Sequence, residues 1–216
     1  MQIPFRFSAV IFDLDGTLVD TEPLYSEATQ KVLDPYNAIF TNSFKKTIMG
    51  GDALAGATKT VKEFNLEMTP EEFLKRREIY LNELFPNARE INGAPEYLMS
   101  LKRTGIQSGL ATSSSKKMCA LKIGHRSWAK LLDPVVCGDD PELSRAKPAP
   151  DIFILCAEKM KVSPSKVIVF EDSKNGIKGA KDAGMRVIAI RNPFMLEDDL
   201  KEADLLINDF IELLKE

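Results

Sequence analysis

The stretch Ala9-Val10-Ile11-Phe12-Asp13-Leu14-Asp15-Gly16-Thr17 constrains this chain more than any other. Ala9–Phe12 is a short β-branched and aromatic run, the profile of a parallel strand buried on both faces. It ends abruptly in Asp13, with Asp15 two places on and Gly16 breaking the strand. Carboxylates at spacing two on extended chain project to the same side, and open α/β sheets bind their ligands at the carboxyl ends of strands. Two close carboxylates repel unless a cation or a shared proton compensates. A hard divalent ion such as Mg2+ suits them, because it takes oxygen ligands and leaves room for a substrate phosphate. Taken alone, the residues from Asp13 to Thr17 fit a solvated acidic turn better than a site.

Composition narrows what such a site could serve. At 216 residues the chain can build one sizeable core, or a core with a small inserted domain. A net charge of −3 argues against a nucleic-acid partner. No apolar run approaches the length of a membrane span, and Met1–Phe7 lacks the apolar centre of a signal peptide, so a cytoplasmic protein without a membrane partner is expected. A monomer is expected as well. Cys119, Cys137 and Cys156 are odd in number and widely spaced, which suits reduced thiols better than disulfides or zinc. The single histidine, His125, sits in a basic, Gly-preceded segment and reads as a surface residue. Serine–histidine or cysteine–histidine hydrolysis therefore has little to work with.

The periodicity divides the chain. Leu24–Leu33, Leu54–Phe64 and Glu71–Phe85 read as amphipathic helices with no convincing strand between them. Thr69-Pro70-Glu71-Glu72 is a helix start: Thr69 caps, Pro70 fits the first turn and Glu72 closes a capping box. Gly50-Gly51 supplies a flexible turn. Residues 20–91 are accordingly expected to form an all-helical insert. Residues 1–19 and 92–216 are expected to form an α/β core, since strand–helix alternation resumes after Asn92-Gly93. Strands are expected at Ile106–Ala111, Val135–Val136, Lys166–Phe170, Val187–Ile190 and Leu205–Ile207. Helices are expected at Ala94–Arg103, Pro150–Met160 and Ser173–Ala183. The fold class is therefore α/β, a doubly wound, Rossmann-like parallel sheet with its ligand crevice at the strand C-termini.

Polar residues fall where that crevice would be. Ile106–Ala111 delivers Thr112, followed by Ser113, Ser114 and Ser115, whose hydroxyls and backbone N–H groups could cradle a phosphate or simply cap a helix. Lys147 lies in Arg145-Ala146-Lys147-Pro148-Ala149-Pro150, where prolines stiffen its backbone. Lys166–Phe170 ends in Glu171-Asp172. Converging strand ends would gather four carboxylates, a hydroxyl and an ammonium, the inventory for a metal ion, a phosphoryl group and a nucleophile.

With these residues in view, Asp13-Leu14-Asp15-Gly16-Thr17-Leu18 and the following Asp20 resemble motif I of the haloacid dehalogenase-like (HAD) hydrolase superfamily. Thr112 is similar to its motif II hydroxyl, Lys147 to its motif III lysine and Glu171-Asp172 to its motif IV acids; the helical insert resembles its mobile cap. Lys147–Phe153 and Glu171–Gly176 resemble the phosphoglucomutase-like and sugar-phosphatase branch. Gly138–Glu142 and Met49-Gly50 are most similar to the subgroup holding pseudouridine 5′-phosphatase and related GS-type phosphatases.

The resemblance implies a magnesium-dependent reaction on a small phosphorylated metabolite. Asp13 would attack phosphorus and form an aspartyl-phosphate; Asp15 would protonate the leaving alkoxide and later activate water. Mg2+ would be held by Asp13, the backbone carbonyl of Asp15 and Asp172, with Glu171 nearby. Thr112 and Lys147 would bind phosphoryl oxygens, assisted by Ser113 and Ser114. Asp15 speaks against dehalogenase and ion-pump chemistry. Gly50-Gly51-Asp52-Ala53 lacks the cap arginine of the sugar phosphomutases, and nothing marks Lys31 as a Schiff-base lysine. Selectivity is expected from cap residues around Glu22, Tyr25 and Gly50–Ala53, with hinges near Asp20–Thr21 and Arg89–Gly93. A phosphatase is the leading expectation; a phosphomutase and a non-catalytic phosphometabolite-binding protein stay open.

Overall fold

The computed structural model describes residues 3–48, 53–193, 195 and 197–214; Gly50, with Met49, Gly51 and Asp52, lies outside the described residues. The chain separates into two compact units, residues 21–88 and residues 1–20 with 89–216.

The unit 21–88 is helical: α1 (Glu22–Leu33), α2 (Asn42–Ile48), α3 (Ala53–Glu63) and α4 (Pro70–Leu84). The capping box at Thr69 is present, with the Thr69 hydroxyl accepting from Glu72 N and the Glu72 carboxylate accepting from Thr69 N. Val32, Leu33, Ala57, Leu66 and Phe73 form its buried core. Short α2 has too few turns to show a strong apolar stripe, which is why periodicity alone does not mark it.

In the other unit β1 (Ala9–Phe12) is buried at every position. The chain leaves this unit through β2 (Val19–Asp20) and returns through β3 (Arg89–Glu90), which pair antiparallel. There follow α5 (Ala94–Arg103), β4 (Gln107–Thr112), α6 (Lys116–Ile123), β5 (Val135–Cys137), α7 (Asp151–Met160), β6 (Val167–Glu171), α8 (Lys174–Asp182), β7 (Arg186–Ile190) and β8 (Leu205–Ile207). The six-stranded sheet has the order β5-β4-β1-β6-β7-β8, and every neighbouring pair is parallel. Strand order therefore reverses direction around β1, the switch point where open α/β sheets leave a crevice. Phe12 stands level with Leu110 of β4 and Phe170 of β6, so the next residue of each strand, Asp13, Ala111 and Glu171, reaches one edge together.

β6 extends one residue beyond its apolar run: Glu171 is still in the ladder, opposite Ala189. Ser173 is the N-cap of α8, accepting a bond from Gly176 N on its hydroxyl. Behind the edge, Phe12 stacks on Phe170 with ring centroids 5.1 Å apart, and Tyr97 and Phe210 close the cluster at 5.4 and 5.0 Å from the Phe170 ring. Phe170 is fully buried. Phe170→Ala is therefore expected to cost about 3–5 kcal/mol of stability, because the cluster cannot collapse around the void. Urea unfolding measures it, and a loss under about 1 kcal/mol would mean the aromatic layer does not support the strand ends.

Candidate active site

Asp13 leaves β1 with its N–H bonded to the Phe170 carbonyl at 2.9 Å, and the residue is only 6% exposed. Lys147 reaches the same point from the loop before α7. Its Nζ donates to Asp13 Oδ1 at 2.5 Å, to Glu171 Oε1 at 2.7 Å and to the Ala111 carbonyl at 3.0 Å. Glu171 Oε2 accepts from Asp172 N, Ser173 N and the Ser173 hydroxyl at 2.9–3.0 Å. Asp172 is held from the end of β7, where Asn192 Nδ2 donates to its carbonyl at 3.0 Å and to its Oδ2 at 3.1 Å.

Two glycines make this approach possible. Gly16 has φ +80°, and a Cβ there would overlap the Asp172 carboxylate. A Cβ on Gly176 would overlap the Glu171 carboxylate in the same way. The Asp13–Gly16 turn and the Glu171-Asp172 pair thus meet through absent side chains.

Asp13, Glu171 and Asp172 offer carboxylate oxygens that all lie within 4.8 Å of one another. Burial pushes the Asp13 carboxyl up to about 7; the Lys147 ammonium opposes this, while Glu171 and Asp15 add to it. Burial, then Glu171, Asp13 and Asp15, likewise hold Asp172 well above the carboxylate range. At Lys147 burial disfavours the charge, but Asp13 and Glu171 outweigh it, so the ammonium is held above its ordinary range. Three buried acids share one ammonium, and that imbalance is what a cation would relieve.

The donor set fits a hard divalent ion. Among the described residues no hydrogen bond falls on Asp13 Oδ2 or Asp172 Oδ1, whereas both oxygens of Glu171 are engaged. Asp13 and Asp172 are thus the acids with an oxygen to spare, and Glu171 orders the lysine and the Asp172–Ser173 turn. The Asp15 carboxylate stands outside the trio. It accepts from Lys122 Nζ at 2.6 Å on Oδ1 and from the Ser114 hydroxyl at 2.8 Å on Oδ2, so as a metal ligand Asp15 has its main-chain carbonyl to offer.

Thr112 is buried at the end of β4, and its hydroxyl accepts from Ser114 N at 3.1 Å, with its own proton still to give. The phosphate cradle expected from the serines is partly closed. Ser115 caps α6 by accepting from Met118 N, and Asp139 Oδ1 accepts from Lys116 N at 2.9 Å. Ser113 is exposed, so its hydroxyl is the least constrained of the run. Glu22 belongs to the helical unit, where its carboxylate pairs with the buried Lys45 at 2.8 Å. Tyr25 of that unit lies under the Arg77 guanidinium, 5.6 Å from the ring centroid. His125 is exposed, and the three cysteines are free and buried.

The sequence assigns no role to Lys122 or Asn192, and marks Asp139 only as part of the Gly138–Glu142 resemblance. Asn192, directly after the apolar β7, could have been found by asking what polar residue follows each strand; Lys122 had no such signal. A cleft of about 500 Å³ lies at the opposite end of β4, lined by Lys102, Ser108, Lys130 and Asp133 among others. It contains none of the acids just described, so volume alone does not locate the site.

A doubly wound sheet with carboxylates and a lysine gathered at its switch point defines a class of α/β hydrolase. The model of the family "Haloacid dehalogenase-like hydrolase" matches residues 10–190, and the chain belongs to that family. It is 40% identical over 187 residues to "(DL)-glycerol-3-phosphatase 1, mitochondrial" of Arabidopsis thaliana, covering 84% of this chain and 63% of that protein. It is 36% identical over 197 residues to "Probable pseudouridine-5'-phosphatase" of Drosophila melanogaster, covering 89% and 85%. A crystal structure of a "putative beta-phosphoglucomutase" from Thermotoga maritima superposes with a TM-score of 0.80 at 33% identity, covering 93% and 94%. These curated relatives are phosphatases of small phosphorylated compounds. No described helix is long and apolar enough to cross a membrane.

Proposed function

We propose that this protein is a magnesium-dependent phosphatase that hydrolyses a small phosphomonoester through an aspartyl-phosphate on Asp13. The observation that supports it most is the state of Asp13: one oxygen is fixed by Lys147, and among the described residues no hydrogen bond falls on the other. Such a carboxylate is held in one orientation at the strand end, as a nucleophile must be. Asp13 attacks phosphorus in line and the alkoxide leaves, taking a proton from Asp15; Asp15 then removes a proton from the water that cleaves the acyl phosphate. Lys147 and the Thr112 hydroxyl bind phosphoryl oxygens and offset charge as it develops. Asp13, the Asp15 carbonyl and Asp172 would hold Mg2+, which when bound would supply further neutralisation of phosphoryl oxygens. Glu171 keeps Lys147 in place.

The likeness to the "putative beta-phosphoglucomutase" of Thermotoga maritima favours a mutase as second reading. Incubation with β-glucose 1-phosphate and a trace of bisphosphate separates them: free phosphate supports the phosphatase, and 6-phosphate without free phosphate supports the mutase. In a screen of glycerol, sugar and nucleoside monophosphates with Mg2+, phosphate release is expected from at least one class. Excess EDTA is expected to lower that release by about 10²-fold or more. A chain that binds these compounds but releases no phosphate with any divalent ion would be a binding protein instead.

A further inference from the structure

Lys122 is fully buried, at 0% side-chain exposure, on α6. A buried ammonium is rare unless it is paired, and such a pair adds little stability over an apolar residue of the same size. Two bonds of its ammonium converge on one place. Nζ donates to Asp15 Oδ1 at 2.6 Å and to the Ser114 hydroxyl at 2.8 Å, and that hydroxyl donates to Asp15 Oδ2 at 2.8 Å. The three groups close a triangle in which each Asp15 oxygen has its own donor. Ser114 is itself tied down, its N–H bonded to Thr112 Oγ1. α6 is anchored at its first turn by Ser115 and Asp139. The Asp15 side chain remains 28% exposed while that of Lys122 is fully buried, so the ammonium grips the carboxylate from the interior.

We infer that Lys122 is a positioning residue: with Ser114 it fixes the orientation of the Asp15 carboxylate for proton transfer to and from the reacting oxygens. This rests on the reading of Asp15 as the proton donor and acceptor given above. It adds a residue 107 positions away in sequence that touches no reacting atom.

Leaving-group dependence tests it, because proton transfer matters for an alkoxide and hardly at all for a nitrophenolate. Lys122→Met keeps the length and packing of the side chain and removes the donor. Its kcat on glycerol phosphate is expected to fall about 10²-fold, the scale of a misplaced general acid. With p-nitrophenyl phosphate the first equivalent of nitrophenolate is expected within about threefold of the parent rate, followed by slow turnover, since dephosphorylation still needs Asp15. That burst is a signature that general loosening of the fold does not produce. Ser114→Ala removes the second donor without altering the buried core, and is expected to show the same pattern at about tenfold; it decides the matter if Lys122→Met fails to fold. Equal losses on both substrates without a burst, or no loss on either, would overturn the inference. Asp13→Asn tests the parent reading separately. If Asp13→Asn is inert while Lys122→Met slows both substrates alike, only the role of Lys122 falls; if Asp13→Asn turns over like the parent, the phosphatase reading falls with it.

Discussion

Asp13→Asn is expected to lower phosphate release by about 10⁴-fold or more, because the reaction loses the atom that forms its covalent intermediate. The same change should not harm the fold. Three buried acids face one lysine, and burial already pushes Asp13 up to about 7, so at pH 8 its charge is held against a cost. An amide of the same shape relieves that repulsion, while Lys147 keeps Glu171 and the Ala111 carbonyl. In EDTA at pH 8 the variant is therefore expected to melt no lower than the parent. Stability given up at a functional carboxylate is the usual trade at such a site. Calorimetry and a phosphate-release assay on one preparation check both halves. A variant that retained turnover would show that Asp13 is not the nucleophile.

Lys147→Met is expected to fail on both counts. It removes the ammonium that bonds Asp13 and Glu171, leaving a buried charge uncompensated, a loss of about 3–5 kcal/mol. The loss depends on pH with a definite sign. Asp13 and Asp172 have folded-state values above the unfolded carboxylate value, so the native state holds more protons than the unfolded state above pH 4. Stability is then fully present at low pH and falls as pH rises through about 7. Without Lys147 both acids move higher still, and the fall deepens. Urea unfolding in EDTA should show a much larger deficit for Lys147→Met at pH 8 than at pH 5, and phosphate release should be lost at either pH. An equal deficit at the two pH values would mean that Lys147 contributes packing against Phe153, 4.8 Å from its Nζ to the ring centroid, more than charge.

Much of this arrangement is legible in the sequence. The three strands that carry the chemistry are apolar runs that stop at a polar residue, and such a run in a doubly wound fold has one place to end. Asp13, Thr112 and the Glu171-Asp172 pair follow from that pattern, and Lys147 from a lysine set among prolines. The division of labour within the acidic pair did not follow. Neighbours on extended chain point to opposite sides, so Glu171, still inside β6, turns to the lysine while Asp172, just past it, turns to Gly16 and Asn192.

The linear order of residues determined the fold class and which strand ends bear acids, because burial periodicity and strand termination are local properties of the chain. Only the tertiary structure decided which of those acids keep an oxygen to spare, and that Lys122 and Asn192 hold Asp15 and Asp172. Those choices depend on contacts between residues 107 and 20 positions apart, and no local pattern encodes the partner of a buried charge.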